Sequence, residues 1–292
     1  MKNKWLTACL IGSALFIMLL FPEPTLKGTR SGLLLWYHHF LPAIFPFMIL
    51  SGILTRYLEK GGPVFAVAAG FLNGYPNGAK TAADLTKRGL LPKETACYYA
   101  AFCNLSGPMF LAAYADLKQE MPIIYLVSIL LLWLFCRFHS QKAFAASPFH
   151  TFSGNFQIQE AEANPPEQTE DYLLECTGIM VKAGIYIMYF SILIELLSQP
   201  AFSNDIVKLM IPFLELTTGI ACIQSTTFPL PALRRYFRLF LCVFGGLSTA
   251  FQTREVTYGL DLSLPRYLAL KFIQASAVCL VCFLLSMLKN IF

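Results

Sequence analysis

Charged residues are scarce in this chain, at 13% of 292 residues, whereas soluble domains carry roughly 25%. Hydrophobic residues make up 56%, and the mean hydropathy is +0.57. This balance excludes an ordinary soluble domain and predicts an integral membrane protein that faces the lipid bilayer. The net charge of +5 is modest, and no basic face with base-stacking aromatic side chains is visible, so we expect no nucleic-acid partner.

Sequence signatures of catalysis are also missing. The chain contains no P-loop, no GxSxG motif and no zinc-type spacing of histidine and cysteine. It supplies no complete set of nucleophile, base and orienting group, so we expect neither an enzyme nor a bound metal or cofactor. The nine cysteines are odd in number and lie mostly in apolar runs; even the CxxC of Cys279 and Cys282 predicts packing rather than redox chemistry.

Apolar segments separated by polar turns predict an all-α polytopic fold. Residues 1–30 form its first unit, a transmembrane helix over 5–21 followed by a loop that begins at Pro22-Glu23-Pro24. A cleaved signal peptide would have a similar pattern, but no small-x-small cleavage site precedes the prolines, which favours a retained helix.

The second unit, residues 31–139, contains two interruptions in its apolar segments. Its predicted elements are, in chain order, a helix over 41–57, a short apolar helix over 64–72, a turn over 73–78, a polar helix over 79–88, a helix over 93–116 broken at 104–108, and a span over 121–138. The two helices beside the turn are together too short for two spans. We therefore predict a re-entrant hairpin with its tip at that turn.

A polar stretch over 140–171, with Pro165-Pro166 and no apolar periodicity, predicts a solvated linker. The last unit, 172–292, repeats the outline of the second. Its predicted elements are a helix over 172–197, hairpin helices over 206–216 and 220–228 with their tip at 217–219, a helix over 232–257 broken at 245–246, and a closing span over 264–288. Paired interruptions in two halves predict a binding site near the membrane midplane and indicate transport.

Basic residues predict the orientation of the first half, because cytoplasmic loops carry an excess of lysine and arginine. The side that we assign to the cytoplasm carries Arg56, Lys60, Lys87, Arg88, Lys93, Arg137 and Lys142. Three arginines would lie on the opposite side: Arg234, Arg235 and Arg238. Either the number of crossings differs from this prediction, or these arginines have a function, such as drawing an anionic solute to the entrance.

Residues 71–110 carry the most specific motifs, in the segment FLNGYPNGAKTAADLTKRGLLPKETACYYAAFCNLSGPMF. This segment resembles the sporulation integral membrane proteins of the nucleoside-recognition (Gate-domain) family, the YlbJ type. The same family fits, in the same order, LPAIFPFMILSGIL upstream and LELTTGI and FGGLSTAFQ downstream. The resemblance thus covers most of the chain, from Leu41 to Lys271.

The Gate-domain family is similar to concentrative nucleoside transporters, which have two hairpins and two broken helices around one site. The resemblance therefore implies a scaffold of two inverted repeats, each with a helix, a re-entrant hairpin, a broken helix and a further helix, that moves a small polar solute. For the sporulation branch the implied solute is dipicolinate, passed across a forespore membrane.

The two hairpin tips and the two helix breaks should converge, since half-helices that end at the midplane present unpaired backbone groups. We predict that the polar residues of these segments bind the solute: Asn73, Tyr75, Asn77, Lys80, Asn104, Ser106, Thr217, Thr218, Ser248, Thr249 and Gln252. We assign the geometry of the turns and breaks to Gly74, Pro76, Gly78, Gly107, Pro108, Gly245 and Gly246. Glu215, a carboxylate in an apolar hairpin, is the candidate for coupling to Na+ or H+.

Structural alternatives exist for three of these residues. Lys80 could be a snorkelling lysine at the cytoplasmic interface. Ser106 could be the N-cap of the second half-helix, with Pro108 near its first position. Glu215 could be the ion-pair partner of an internal lysine, such as Lys80 or Lys182.

The sequence thus predicts a multi-pass transporter in a bacterial cell membrane, working by alternating access on a small polar or anionic solute, nucleoside-like or dipicolinate-like. The alternative is a non-transporting membrane component of a sporulation complex, whose polar residues at the breaks would satisfy one another in a dry interior. A membrane enzyme using Lys80 or Glu215 as acid or base is a third interpretation, without a complete catalytic set. The expected partners are the solute, the bilayer, and either further copies of the chain or sporulation membrane proteins.

Overall fold

The computed structural model describes residues 2–57, 67–68, 70–72, 74–87, 89, 91–139, 167–225 and 231–289. Over these ranges the chain is helical and contains no strand, which confirms the predicted all-α fold. Several predictions concern residues outside the described ranges: Asn73, Lys60, Arg88, Lys142 and the linker over 140–166. The two-repeat arrangement stays a prediction from the sequence.

Six helices are described before the linker: α1 (Lys2–Leu20), α2 (Pro22–Leu35), α3 (Leu41–Tyr57), α4 (Asn77–Lys87), α5 (Lys93–Phe102) and α6 (Met121–His139). A π-helical segment, Trp36–Phe40, joins α2 to α3. A second one, Phe110–Tyr114, follows the non-helical residues 103–107. The break predicted within the helix over 93–116 is therefore confirmed.

Six helices are described after the linker: α7 (Glu167–Leu197), α8 (Asp205–Met210), α9 (Leu216–Ser225), α10 (Pro231–Phe244), α11 (Gly246–Val256) and α12 (Leu264–Lys289). A 3-10 turn, Ile211–Phe213, links α8 to α9. The break predicted at 245–246 is confirmed, with φ angles of 90° at Gly245 and 80° at Gly246. Glycine adopts this left-handed backbone without strain, so the pair ends α10 and separates it from α11.

Four helices among the described residues are long and apolar enough to cross a membrane: Pro22–Leu50, Met121–Phe138, Asp171–Leu197 and Leu264–Leu288. They confirm the prediction of a multi-pass membrane protein, including the spans predicted over 121–138 and 264–288. Helix α1 contributes a shorter apolar stretch, Ile11–Leu20.

Three predicted boundaries differ from the structure. The loop expected from Pro22 is helix α2, because proline at the first helical positions lacks only an N–H that would be unpaired there anyway. The long helix α7 begins at Glu167 rather than at residue 172, inside the predicted linker. The second hairpin tip lies at residues 214–215 rather than at 217–219, because α9 already begins at Leu216.

Close backbone contact joins the first span to the third. A Cβ added to Gly28 of α2 would lie 2.5 Å from the Cα of Ile192 in α7, and one added to Gly32 would lie 2.7 Å from the Cα of Met188. Small residues of this kind let membrane helices approach closely. On the other side of the molecule, α12 contacts α5, α6, α10 and α11, so this span lies between the two broken helices.

Candidate functional site

The first hairpin tip packs directly on the first helix break. Gly74 has a φ of 73°, and a Cβ there would lie 2.7 Å from the backbone nitrogen of Gly107. A Cβ on Gly78, the second residue of α4, would lie 2.9 Å from the carbonyl oxygen of Cys103. Any larger residue would therefore push the tip away from the break, which gives both hairpin glycines a structural role.

The second tip packs on the second break in a related way. The backbone N–H of Ser248, in the first turn of α11, donates to the carbonyl oxygen of Leu214 at 2.9 Å. Glu215 follows directly, and its two carboxylate oxygens accept the N–H groups of Thr217 at 3.0 Å and Thr218 at 2.6 Å. Glu215 thus caps α9, because the first N–H groups of a helix have no partner within it.

Two side chains of the first half bind the broken end of α10 in the second half. The Tyr75 hydroxyl donates to the carbonyl of Val243 at 2.8 Å, and the Ser106 hydroxyl donates to that of Cys242 at 2.9 Å. The last carbonyls of a helix have no partner within it, so the break at Gly245 leaves these oxygens available. The tip of one hairpin and both breaks therefore meet in one buried region.

Asn104 lies at the centre of this region and is fully buried. Its amide nitrogen donates to the hydroxyl of Thr253 at 2.8 Å and to that of Tyr267 at 3.2 Å, and its amide oxygen accepts the N–H of Ala79 at 3.4 Å. Sequence reasoning identified Asn104 but missed Thr253 and Tyr267. Both residues lie within continuous helices. Nothing in the sequence around them indicates that their side chains face the break.

Lys271 and Gln274, three residues apart on α12, were also missed. Both are fully buried beside the first break. A signal was available, because an ionisable side chain in the middle of an apolar span marks a candidate functional site. Gln274 donates to the carbonyl of Phe102 at 2.8 Å and to the hydroxyl of Ser128 at 2.7 Å, so it joins the break to α6.

Glu215 is buried at the second tip with 2% of its surface exposed. Within the part of the chain that the structure describes, no lysine or arginine lies within 4 Å of its carboxylate. The proposed partners pair elsewhere: Lys80 with Asp84, and Lys182 with Glu255. The alternative that Glu215 forms an ion pair with one of these lysines is therefore wrong. In the described contacts Glu215 caps α9.

A charged cavity of about 440 Å³ lies between α4, α7 and α11. At its outer end are Tyr258, 89% exposed, and Lys87. At its inner end is Gln252, which is 3% exposed and whose side-chain oxygen has no hydrogen-bond partner among the residues that the structure describes. Buried amide oxygens are nearly always satisfied, so an unpaired one on a residue that lines a cavity makes that residue a candidate for ligand binding.

The cavity walls carry three lysines and three carboxylates: Lys80, Lys87, Lys182, Asp84, Glu175 and Glu255. The Lys80 ammonium lies 2.6 Å from Asp84 and 3.0 Å from Glu175. The Lys182 ammonium lies 2.9 Å from Glu255. The charges of the cavity thus balance one another, and Lys80 is an ion-paired wall residue rather than a free cation.

The residues predicted to bind solute fall into three groups. Lys80 and Gln252 line the cavity, together with the turn residue Pro76. The buried region between the breaks takes Tyr75, Asn104, Ser106 and Asn77, which begins α4. Thr217, Thr218 and Ser248 lie at the second tip, beside the coupling candidate Glu215. The Thr249 hydroxyl bonds to the carbonyls of Gly245 and Gly246 at the start of its own helix.

Two arginines at the start of α10 are paired with carboxylates that precede α6. Arg235 binds Glu120, and a terminal nitrogen of Arg238 lies 3.7 Å from Asp116. Towards its other end α6 packs on α5, where the rings of Phe135 and Tyr98 are 5.6 Å apart. The arginines therefore lie at the end of α6 opposite to Arg137, as predicted, and carboxylates there compensate their charge.

Within the described ranges, no group of three His, Cys, Asp or Glu side chains is placed as metal ligands would be.

Comparison with curated proteins gives a distant relative. The chain is 29% identical over 108 residues to the sporulation integral membrane protein YlbJ of Bacillus subtilis (strain 168), and the aligned region covers 31% of this chain and 26% of that protein. No family model and no solved structure matches the chain. The chain is a membrane protein related distantly to a sporulation integral membrane protein.

Proposed function

We propose that this protein is a membrane transporter of a small polar solute, which binds in the cavity between α4, α7 and α11. The observation that carries the proposal is Gln252, whose buried oxygen lacks a partner at the inner end of a cavity of about 440 Å³. The Gln252 amide nitrogen bonds to the hydroxyl of Ser248, in the first turn after the second helix break, and Pro76 of the first hairpin tip also lines the cavity. Broken helices at the centre of a membrane protein are a recurring way to build a transporter site.

The solute is neutral or zwitterionic rather than a dianion. Every ion pair in the cavity wall is internal, and the three positive and three negative side chains cancel. The unpaired group, the oxygen of Gln252, accepts a hydrogen bond from an N–H or O–H group of the solute. Of the two solute classes left open by the sequence, this favours the nucleoside-like one over dipicolinate, which carries two carboxylates.

The cavity opens to the cytoplasm. Its outer residue Lys87 lies on the side that the excess of basic residues assigns to the cytoplasm. Towards the other side, the hydrogen bonds of Tyr75 and Ser106 to the end of α10 close the path, and the pairs of Arg235 and Arg238 lie beyond them. Alternating access would open this closure and close the mouth of the cavity at Lys87 and Tyr258, with solute held at Gln252 between the two.

A specific observation favours the second candidate function, a non-transporting component of a sporulation or other membrane complex. The polar side chains at the first break bind one another and the backbone, as Asn104 does with Thr253 and Tyr267. A non-transporting component of a complex needs only such internal contacts. It gives no role, however, to the cavity and its unpaired oxygen.

A ligand-induced thermal shift separates the two functions. Purified protein in detergent is melted with nucleosides, with dipicolinate and with small dicarboxylates, each with and without sodium. A ligand at 100 times its dissociation constant adds about 2.7 kcal/mol to the free energy of unfolding. We expect nucleosides to raise the Tm more than either dicarboxylate class does.

The matched variants are Gln252→Met, which removes the acceptor at nearly constant length, and Gln224→Met, which changes an exposed glutamine outside the cavity. The shift should vanish in the first variant and persist in the second. A wild-type protein that melts cooperatively without a shift by any compound would contradict the transporter proposal and favour the membrane component.

A further inference from the structure

Lys271 is a buried lysine without a carboxylate partner. It lies in the span Leu264–Leu288, and 0% of its surface is exposed. Among the described residues, no Asp or Glu oxygen lies within 4 Å of its ammonium. A lysine at membrane depth is costly unless its charge is compensated, so something other than an acidic side chain must hold it.

Three groups surround the ammonium. It donates to the carbonyl oxygen of Asn104 at 2.9 Å and to the side-chain oxygen of Gln274 at 2.7 Å. It also lies over the ring of Tyr75, 5.2 Å from the centroid. Oxygen atoms and an aromatic face are both attractive to a cation, and here they come from α12, the first break and the first hairpin tip.

The first break adds a negative potential at the same place. Helix α5 ends at Phe102, and a helix carries about half a negative charge at its C-terminal end. Gln274 binds the carbonyl of Phe102, and Lys271 binds that of Asn104, two residues further along. The two side chains of α12 thus satisfy backbone oxygens that the interruption of the helix exposes.

We propose that the ammonium of Lys271 is a resident monovalent cation, which fills a cation-binding position at the first helix break that would otherwise take a sodium ion from solution. Unwound carbonyls and the C-terminal ends of half-helices are the groups with which broken membrane helices coordinate Na+. At this break they bind an ammonium that the chain itself supplies. Coupling to sodium at the first break is then excluded, because its position is already occupied.

The inference does not depend on the proposed transport activity, since it concerns what the break binds. The titratable groups facing Lys271 are the side chains of Tyr75 and Cys103, neither of them acidic enough to pair with it at neutral pH. The position is also separate from the cavity, which Lys271 does not line.

The test uses monovalent cations as ligands: sodium, methylammonium and, as the bulky reference, choline. The Tm of the wild-type protein and of Lys271→Ala is measured in detergent with sodium chloride, methylammonium chloride or choline chloride at about 150 mM, a physiological ionic strength. The wild-type Tm should be the same in all three salts. The variant should have a lower Tm in choline chloride and regain roughly 3 °C or more with sodium or methylammonium, which enter the vacated position.

A control and a second measurement keep the test decisive. Lys27→Ala removes a lysine whose side chain is 71% exposed, and it should show no difference between the three salts. A sodium-specific rise in the wild-type Tm would overturn the proposal, and so would a Lys271→Ala protein that none of the small cations stabilises. If the variant is recovered in folded form only from buffers with sodium or methylammonium, the proposal is supported; if it is recovered from none, it is overturned.

Discussion

At the scale of single residues, the polar side chains of the helix breaks hold the two halves of the molecule together. Asn104 follows α5, and its partners Thr253 and Tyr267 belong to α11 and α12. The sequence identifies Asn104 because an asparagine beside glycine and proline marks an interruption. It does not identify the partners, since their contact depends on packing between segments about 150 residues apart.

Replacing Asn104 with alanine should lower the free energy of unfolding by about 1–3 kcal/mol, because three buried hydrogen bonds are lost and the groups of Ala79, Thr253 and Tyr267 lose a partner. Denaturation of the purified protein in detergent measures the loss. Thr177→Val is the control, since it removes an exposed hydroxyl that bonds only within its own helix, and it should change stability by less than about 0.5 kcal/mol. Equal effects of the two substitutions would contradict a central role for Asn104.

Gly245→Ala should be more harmful than Gly89→Ala, although both glycines have a positive φ, of 90° and 73°. A Cβ on Gly245 would lie 2.8 Å from the hydroxyl of Tyr75, whereas one on Gly89 would meet nothing within 4 Å. The backbone strain alone costs about 1–2 kcal/mol, so Gly89→Ala should lose that amount and Gly245→Ala clearly more. Similar losses in a denaturation assay would show that the tip and the second break are not in close contact.

At the scale of the elements, the contact between α2 and α7 depends on two glycines spaced as Gly-x-x-x-Gly. The sequence analysis treated this region as a loop, because prolines precede it. The prolines at residues 22 and 24 are as compatible with the start of a helix as with a loop. Only the packing of this segment against α7 distinguishes the two structures. The breaks were predicted correctly for the opposite reason: glycine and proline in the interior of an apolar helix have few alternatives.

Gly28→Ala tests this contact. The new Cβ would lie 2.5 Å from the Cα of Ile192, and a backbone atom cannot move aside as a flexible side chain can. The substitution should destabilise the protein by about 1–3 kcal/mol. Gly12→Ala, in α1, meets nothing within 4 Å and should be neutral or stabilising by up to about 1 kcal/mol. A neutral Gly28→Ala would disprove the close approach of the two spans.

In the second hairpin, residue types alone do not determine where the second helix begins. Thr217, Thr218 and Gly219 read as a turn, yet they lie in the first turns of α9. Glu215 explains why the helix begins before the predicted turn. Its carboxylate binds the N–H groups of Thr217 and Thr218, which have no partner within the helix. Its use as a cap depends on backbone geometry that composition alone does not specify.

At the scale of the whole molecule, the distribution of basic residues predicts an orientation of the protein in the membrane. Lys87, Lys93 and Arg137 lie towards one end, and the paired arginines of α10 lie at the other. At the other end, Arg235 pairs with Glu120 and Arg238 lies near Asp116, so the orientation predicted from Lys87, Lys93 and Arg137 calls for a direct test.

Labelling of single introduced cysteines tests this orientation. Tyr258→Cys places a thiol at the outer end of the cavity, and Gln119→Cys places one beside Glu120 at the other end; both positions are exposed. A membrane-impermeant maleimide added to intact cells should label Gln119→Cys, and it should label Tyr258→Cys only after permeabilisation. The unmodified chain, with its nine native cysteines, gives the background, and the reverse pattern would invert the assignment.

The most direct test of transport is solute uptake by proteoliposomes. Purified protein is reconstituted, and the entry of radiolabelled nucleosides and of dipicolinate is compared with protein-free vesicles and with vesicles that contain Gln252→Met. We predict saturable uptake of at least one nucleoside above both backgrounds, with little or no uptake of dipicolinate. Uptake of no compound by a correctly folded, reconstituted protein would contradict the transporter proposal, and dipicolinate uptake that does not require Gln252 would contradict the assignment of the cavity.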